Sequence, residues 1–155
     1  MEFEEVKQLV REAIEEFWAR DPELFTWDTA EWSMAHRLAV YLEQQFPDCW
    51  DVDCEYNRQG KDGTSKPNSD GQNIRPDIIL HKRGKTQPED NLLVVELKKE
   101  ESGDAEKAKD YTKPPHGARE YQYKYGLLLE LTDQEKHQER WFRNGKPVDS
   151  CEIRT

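Results

Sequence analysis

Ile74-Arg75-Pro76-Asp77-Ile78-Ile79-Leu80-His81 and, beyond a short polar gap, Asn91-Leu92-Leu93-Val94-Val95-Glu96-Leu97-Lys98 are the two stretches whose reading decides the fold. Each is an apolar, β-branched run of strand length, and together they predict two neighbouring strands. Each also carries charge where a packed strand ordinarily has none. Side chains alternate along a strand, so Leu92, Val94, Glu96 and Lys98 share one face, and Leu93, Val95 and Leu97 the other. Glu96 and Lys98 then project side by side, roughly 7 Å apart along the strand. With Asp77 arriving from the neighbouring strand, two carboxylates and an ammonium converge on one sheet. That grouping suits a divalent metal with a water beside it.

Working outward, 155 residues make one domain with a single core. Only 34% of the residues are apolar and 36% are charged, which predicts a small core under a heavily solvated surface. No run approaches the ~20 apolar residues of a membrane span. The acidic start Met1-Glu2-Phe3-Glu4-Glu5 does not resemble a signal peptide, and Cys49, Cys54 and Cys151 lack the close pairs of a zinc site. The expectation is a cytoplasmic protein with reduced thiols and no membrane partner. The net charge of −10 opposes tight, sequence-independent binding of nucleic acid. Residues 1–60 hold 15 acids against 5 Lys and Arg, whereas residues 61–155 hold 18 of each, so the second half need not repel phosphate.

Residues 2–19 predict an amphipathic helix through Phe3, Val6, Val10, Ile14 and Phe17 or Trp18, ended by Asp21-Pro22. Phe25 and Trp27 are expected to tuck under neighbouring elements. A second helix is expected from Asp28 or Thr29 to Phe46, with Met34, Ala35, Leu38, Tyr41 and Leu42 inward and His36 at the surface. Trp50–Tyr56 alternates as a strand whose Asp51, Asp53 and Glu55 face solvent. Residues 57–73 are polar and Gly-rich, which predicts a long mobile loop. Ser102 caps a helix reaching Tyr111, and 121–131 predicts a further strand opening on alternating tyrosines. Those tyrosines are either base-stacking groups or structural ones. Asn144-Gly145 marks a C-terminal hairpin.

Pro76-Asp77 followed by Glu96-Leu97-Lys98 resembles the signature of the PD-(D/E)xK nuclease superfamily. The likeness is close in the middle of the chain and looser over residues 29–131. It implies an α/β, restriction-endonuclease-like fold: a central mixed sheet of four to five strands flanked by helices. To this the chain adds an N-terminal helical extension (1–27) and a C-terminal hairpin (132–155) around a core of 28–131. The resemblance also implies a Mg²⁺- or Mn²⁺-dependent endonuclease hydrolysing phosphodiester bonds in nucleic acid, expected to be DNA, and a possible homodimer. Asp77 and Glu96 would hold the metal together with the Leu97 carbonyl, and hard oxygen donors suit those ions. Lys98 would orient the attacking water rather than act as a strict base, because neighbouring carboxylates keep a lysine protonated.

Lys99, Lys113, Arg119 and Arg37 are the candidates for holding the nucleic-acid backbone. Glu31 has two readings: a capping-box partner in Asp28-Thr29-Ala30-Glu31, or the glutamate that this superfamily often aims at the metal from the helix before the sheet. An alternative of another class also stands, in which the same scaffold is a catalytically idle binding or assembly module.

Overall fold

A computed structural model of the chain describes residues 1–59, 62–68, 70–85, 87–99, 105–116, 120–133 and 136–148. The helix α1 spans Phe3–Arg20 and buries Val6, Val10, Ala13, Ile14, Phe17 and Trp18, one stripe at helical spacing. Glu4 and Glu5 in its first turn and Arg20 in its last complement the helix dipole. A short helix α2, Pro22–Thr26, starts on proline, whose missing N–H costs nothing at a helix start. Phe25 packs edge-on against Trp18, but Trp27 is 72% exposed rather than tucked in. The helix α3, Glu31–Gln45, buries Met34, Ala35, Leu38, Tyr41 and Leu42 against α1 and stops before Pro47. His36 is exposed.

The strands are β1 (Asp51–Cys54), β2 (Ile78–His81), β3 (Asn91–Lys99), β4 (Tyr125–Asp133), β5 (Lys136–Arg143) and β6 (Lys146–Pro147), with helix α4 (Ala105–Asp110) between β3 and β4. They form one sheet in chain order, in which β3 and β4 alone run parallel, joined by the crossover that carries α4. The sheet therefore has six strands and not four to five. The extra members come from the end of the chain: β5 alternates charged and half-buried residues and pairs with β4 along its length. At the β5–β6 turn Asn144 and Gly145 have φ of 51° and 72°, as a two-residue hairpin requires.

One face of the sheet packs Val95, Leu97, Leu127 and Leu129 against α1 and α3. The other packs Ile79 and Val94 against Tyr111, Tyr121 and Tyr123, with Ala108 of α4 on Leu128 beside them. Buried on both sides, β3 and β4 are, between their ends, apolar on both faces apart from Glu96 in β3 and Glu130 in β4. Tyr121 and Tyr123 precede β4 and are fully buried, so the tyrosine series is core and presents no stacking surface.

The polar segment between β1 and β2 is anchored where the sequence predicts mobility. Asn57 donates to the carbonyls of Lys66 and Ile74, the Ile74 N–H to Lys66 O at 2.9 Å, and the Tyr121 hydroxyl to Pro67 O at 2.9 Å. Lys66 itself is 1% exposed: its ammonium donates to the Tyr123 hydroxyl at 2.6 Å and lies 5.1–5.5 Å from the rings of Tyr56, Tyr121 and Tyr123. The acids of β1 are also not simply solvated. Arg83 binds Asp53 at 2.7 Å and Asp51 at 3.3 Å, and His81 Nε2 lies 2.8 Å from Asp53. Burial raises the Asp53 pKa, but His81 and Arg83 outweigh it and hold the carboxyl down at about 2. Ser102 and Cys151 lie outside the described residues; Cys49 and Cys54 are free thiols. No helix among the described residues is long and apolar enough to cross a membrane.

Candidate functional site

Pairing of β2 with β3 places Ile78 opposite Val95 and Ile79 opposite Val94. One step further along the same antiparallel register, Asp77 falls opposite Glu96. Asp77 sits just before β2 because Pro76 has no N–H to give the ladder. Period-two alternation then puts Asp77, Ile79, Val94, Glu96 and Lys98 on one face. Beyond Ile78 the β2 side of β3 is open, and the Asp77 side chain takes the place of the missing strand: its Oδ2 accepts the Leu97 N–H at 2.8 Å. The Leu97 carbonyl points to the same open edge as its N–H, since both groups of a strand residue project to one side.

Glu96 is 4% exposed, and its Oε1 is buried without a hydrogen-bond partner among the described residues. Burial pushes its pKa up to about 8; the Asp77 carboxylate adds to the rise, and Lys107, Lys98 and the Asp77 backbone N–H offset part of it. Asp77 is raised as well, chiefly by burial and then by Glu31, against the pull of the Leu97 N–H, Lys98 and Lys107. Two carboxyl groups facing each other in a dry site resist ionising together. Burial lowers the pKa of Lys98, but Glu31, Asp77 and Glu96 together carry it above the ordinary lysine value. It is therefore an ammonium at neutral pH, suited to orienting a nucleophile or neutralising a phosphate oxygen.

Glu31 does not cap its helix: the N-cap position is Ala30, without a side-chain cap bond. Instead Glu31 reaches the end of β3, where Oε1 accepts the Lys99 N–H at 3.2 Å and Oε2 lies 3.6 Å from Lys98 Nζ. Lys99 fixes the same junction from its side, donating to Asp28 and, at 3.0 Å, to Thr29 O. Its ammonium is thereby committed to holding the turn before α3. That turn is flanked by Trp27 and by Trp32, which is 68% exposed.

The remaining expected contacts lie elsewhere. Arg37 donates to Asp21 at 3.1 Å and to the Tyr41 hydroxyl at 3.0 Å, an arrangement that ties α2's start to α3. Lys113 pairs with Asp110 at 2.9 Å beside the β5–β6 turn, and Arg119 lies outside the described residues. Two residues of the site escape the sequence pattern. Lys107 acts electrostatically on both Asp77 and Glu96, and burial followed by the Glu96 charge drives the Tyr111 hydroxyl upward. Both come from α4 and the turn after it; the one available signal was their i, i+4 spacing on a helix next to the sheet.

The groups able to hold a metal are thus the Asp77 and Glu96 carboxylates and the Leu97 carbonyl. Among the described residues no set of three or more His, Cys, Asp or Glu converges on one point. No family model, curated protein or solved structure matches this chain.

Proposed function

We propose that this protein is a metal-dependent nuclease that hydrolyses phosphodiester bonds in nucleic acid, with DNA as the first substrate to test. The observation that carries the reading is the pairing of Asp77 with Glu96 around a carboxylate oxygen, Glu96 Oε1, that is buried and without a hydrogen-bond partner among the described residues. Leaving such an atom unmatched costs free energy that a cation would recover. The donors fit Mg²⁺ or Mn²⁺: they are all oxygen, and they are few, as suits ions that keep several waters. Bound there, the ion would lower the pKa of a water and neutralise charge building on the phosphate. Lys98 holds that water or a non-bridging oxygen through its ammonium, and Glu31 holds Lys98. Asp77, braced by the Leu97 N–H, fixes the spacing between β2 and β3. Lys107 and the Tyr111 hydroxyl bound the site on the α4 side.

The experiment is a thermal titration with Mg²⁺ and Mn²⁺, followed by cleavage assays on single-stranded, duplex and branched DNA and RNA. At 100 times Kd a cation stabilises the fold by about 2.7 kcal/mol, which raises Tm by roughly 5–10 °C at this size. Asp77→Ala abolishes that rise, and Lys98→Ala keeps it while losing cleavage. A wild-type Tm indifferent to both cations removes the enzyme reading and leaves the idle binding module.

A further inference from the structure

A cavity of about 560 Å³ opens between the first half of α1, α4 and β5. Lys7 and Arg11 enter it from α1, Lys109 from α4 and Arg140 from β5, with Phe3 and Trp141 in the wall. In a chain of net charge −10 these four cations face two acids, Glu106 and Glu139. Glu139 is already engaged, by Arg11 at 3.1 Å, by His137 at 3.0 Å and by the Trp141 indole N–H at 2.9 Å. Arg140 is paired with buried Glu130 at 2.8 Å. The two lysines are differently placed. Lys109 touches Glu106 at 3.4 Å in an exposed i, i+3 pair, a kind of contact worth little. The Lys7 ammonium rests 5.6 Å from the centre of the Phe3 ring and meets no carboxylate among the described residues.

Its position ties this cavity to the carboxylate pair. Across the sheet Glu96 stands opposite Leu128, and Leu128 opposite Arg140. Arg140 therefore lies in the same row and on the same face as Glu96, two strands away, about 10 Å. The helix α4 sits over Leu128 between them, its Lys107 acting on Asp77 and Glu96 while its Lys109 lines the cavity. A stacked strand advances ~3.4 Å per nucleotide, so Arg140 at the near wall is roughly three nucleotides from the pair. Phe3 and Lys7 belong to α1 on the other face of the sheet and are reached around β5. The volume lies within the range of small-ligand pockets, about 300–1,000 Å³, and no duplex would enter it.

We propose that this cavity is a nucleotide subsite for a single strand running from the Asp77–Glu96 pair, with Lys7 and Lys109 on its phosphates and Phe3 against a base. The proposal rests on the nuclease reading for its strand direction. Phosphate contacts bring affinity that salt erodes, and an aromatic ring accepts any base.

The test uses an Asp77→Asn background to prevent turnover, with labelled oligothymidylates of about two to eight nucleotides as the probe. Affinity rises with length until the strand spans both places, then levels. Lys7→Gln with Lys109→Gln flattens that dependence and cuts the affinity of the longer probes tenfold or more. It also lowers the slope of log affinity on log salt by about 1.4, so that between ~50 and ~500 mM salt the parent loses about 25-fold more affinity than the variant. Arg20→Gln, on the far end of α1, leaves all three unchanged. Equal length dependence and salt slope in parent and double variant overturn the subsite, even if wild-type protein cleaves DNA. Conversely, a wild type that cleaves nothing while the double variant still loses its length dependence removes the nuclease and keeps the subsite.

Discussion

Lys66→Met tests whether a charged group is really held in the tyrosine cage that anchors the segment between β1 and β2. Burial draws the pKa of Lys66 down to about 7, against a smaller upward pull from Asp53. Between pH 7 and 10.5 the folded protein then binds fewer protons than the unfolded chain, so wild-type stability rises with pH across that window. The same contribution is lost as pH falls through 7, where the fold must accommodate a buried ammonium. The span from 10.5 to about 7 is worth on the order of 5 kcal/mol as a ceiling. Methionine keeps the length and fills the same space without a charge. Its loss of the amine on the Tyr123 hydroxyl costs about 1 kcal/mol at every pH, and so cancels when two pH values are compared. At roughly 2–4 °C per kcal/mol, the Tm difference between variant and wild type should be larger at pH 6 than at pH 10.5 by about 10 °C. The assay is circular dichroism melting of both proteins at half-unit pH steps. A Tm difference that stays constant from pH 6 to 10.5 would refute the buried ammonium.

Two further substitutions probe the supports of the site. Gly126→Ala brings a Cβ to 2.4 Å from the Ala108 carbonyl and 2.9 Å from Thr112 Cγ2, so α4 must move off β4 at a cost of about 1–3 kcal/mol. Because α4 carries Lys107, cleavage should fall by more than the Tm loss explains, measured as kcat at a temperature where the variant is fully folded. Arg37→Ala breaks the link from α3 to Asp21 and should lower Tm by a few degrees while leaving oligonucleotide affinity and its salt slope unchanged; a reduced slope would restore Arg37 to the substrate contacts.

How far the sequence discloses this molecule follows from where each residue's environment comes from. Glu96 and Lys98 are legible together because strand alternation is local and parity puts them on one face; Asp77 joins them only through the β2–β3 register. The buried stripes of α1 and α3 are legible in the same way, through helical spacing. Lys66 is hidden in a stretch with almost no apolar residues, since two of the three tyrosines that cage it, Tyr121 and Tyr123, lie more than fifty positions later. Glu31 has the spacing of a capping box, yet it makes no cap bond and reaches Lys98 and Lys99 at the end of β3, contacts that no local spacing announces. The strand count fails at β5, whose mixture of Lys, His, Gln, Glu and Arg lacks an apolar run and is held instead by its pairing to β4. Trp27 belies its type: a large apolar residue is expected inside, but the turn holding Asp28 to Lys99 leaves it in solvent.

The charge distribution limits how phosphate can be met. Several cations are committed within the protein: Lys99 to Asp28 and Thr29 at the end of β3 and, away from the candidate site, Arg37 to Asp21 and Arg83 to Asp51 and Asp53. A nuclease that recruited its substrate with surface lysines alone would need a basic footprint that this chain does not have. Binding energy must then come from a few places. One would be an ion held by Asp77 and Glu96, whose two positive charges would offset the two carboxylates and leave the Lys98 ammonium to meet a phosphate. The other is the α1–α4 cavity, where Lys7 meets no carboxylate among the described residues. On this reading affinity without a divalent cation is weak and confined to strands long enough to reach that cavity, and the cation adds affinity centred on the scissile phosphate. Metal dependence and length dependence are then separable, and a protein that bound short and long strands equally well without metal would contradict both assignments at once.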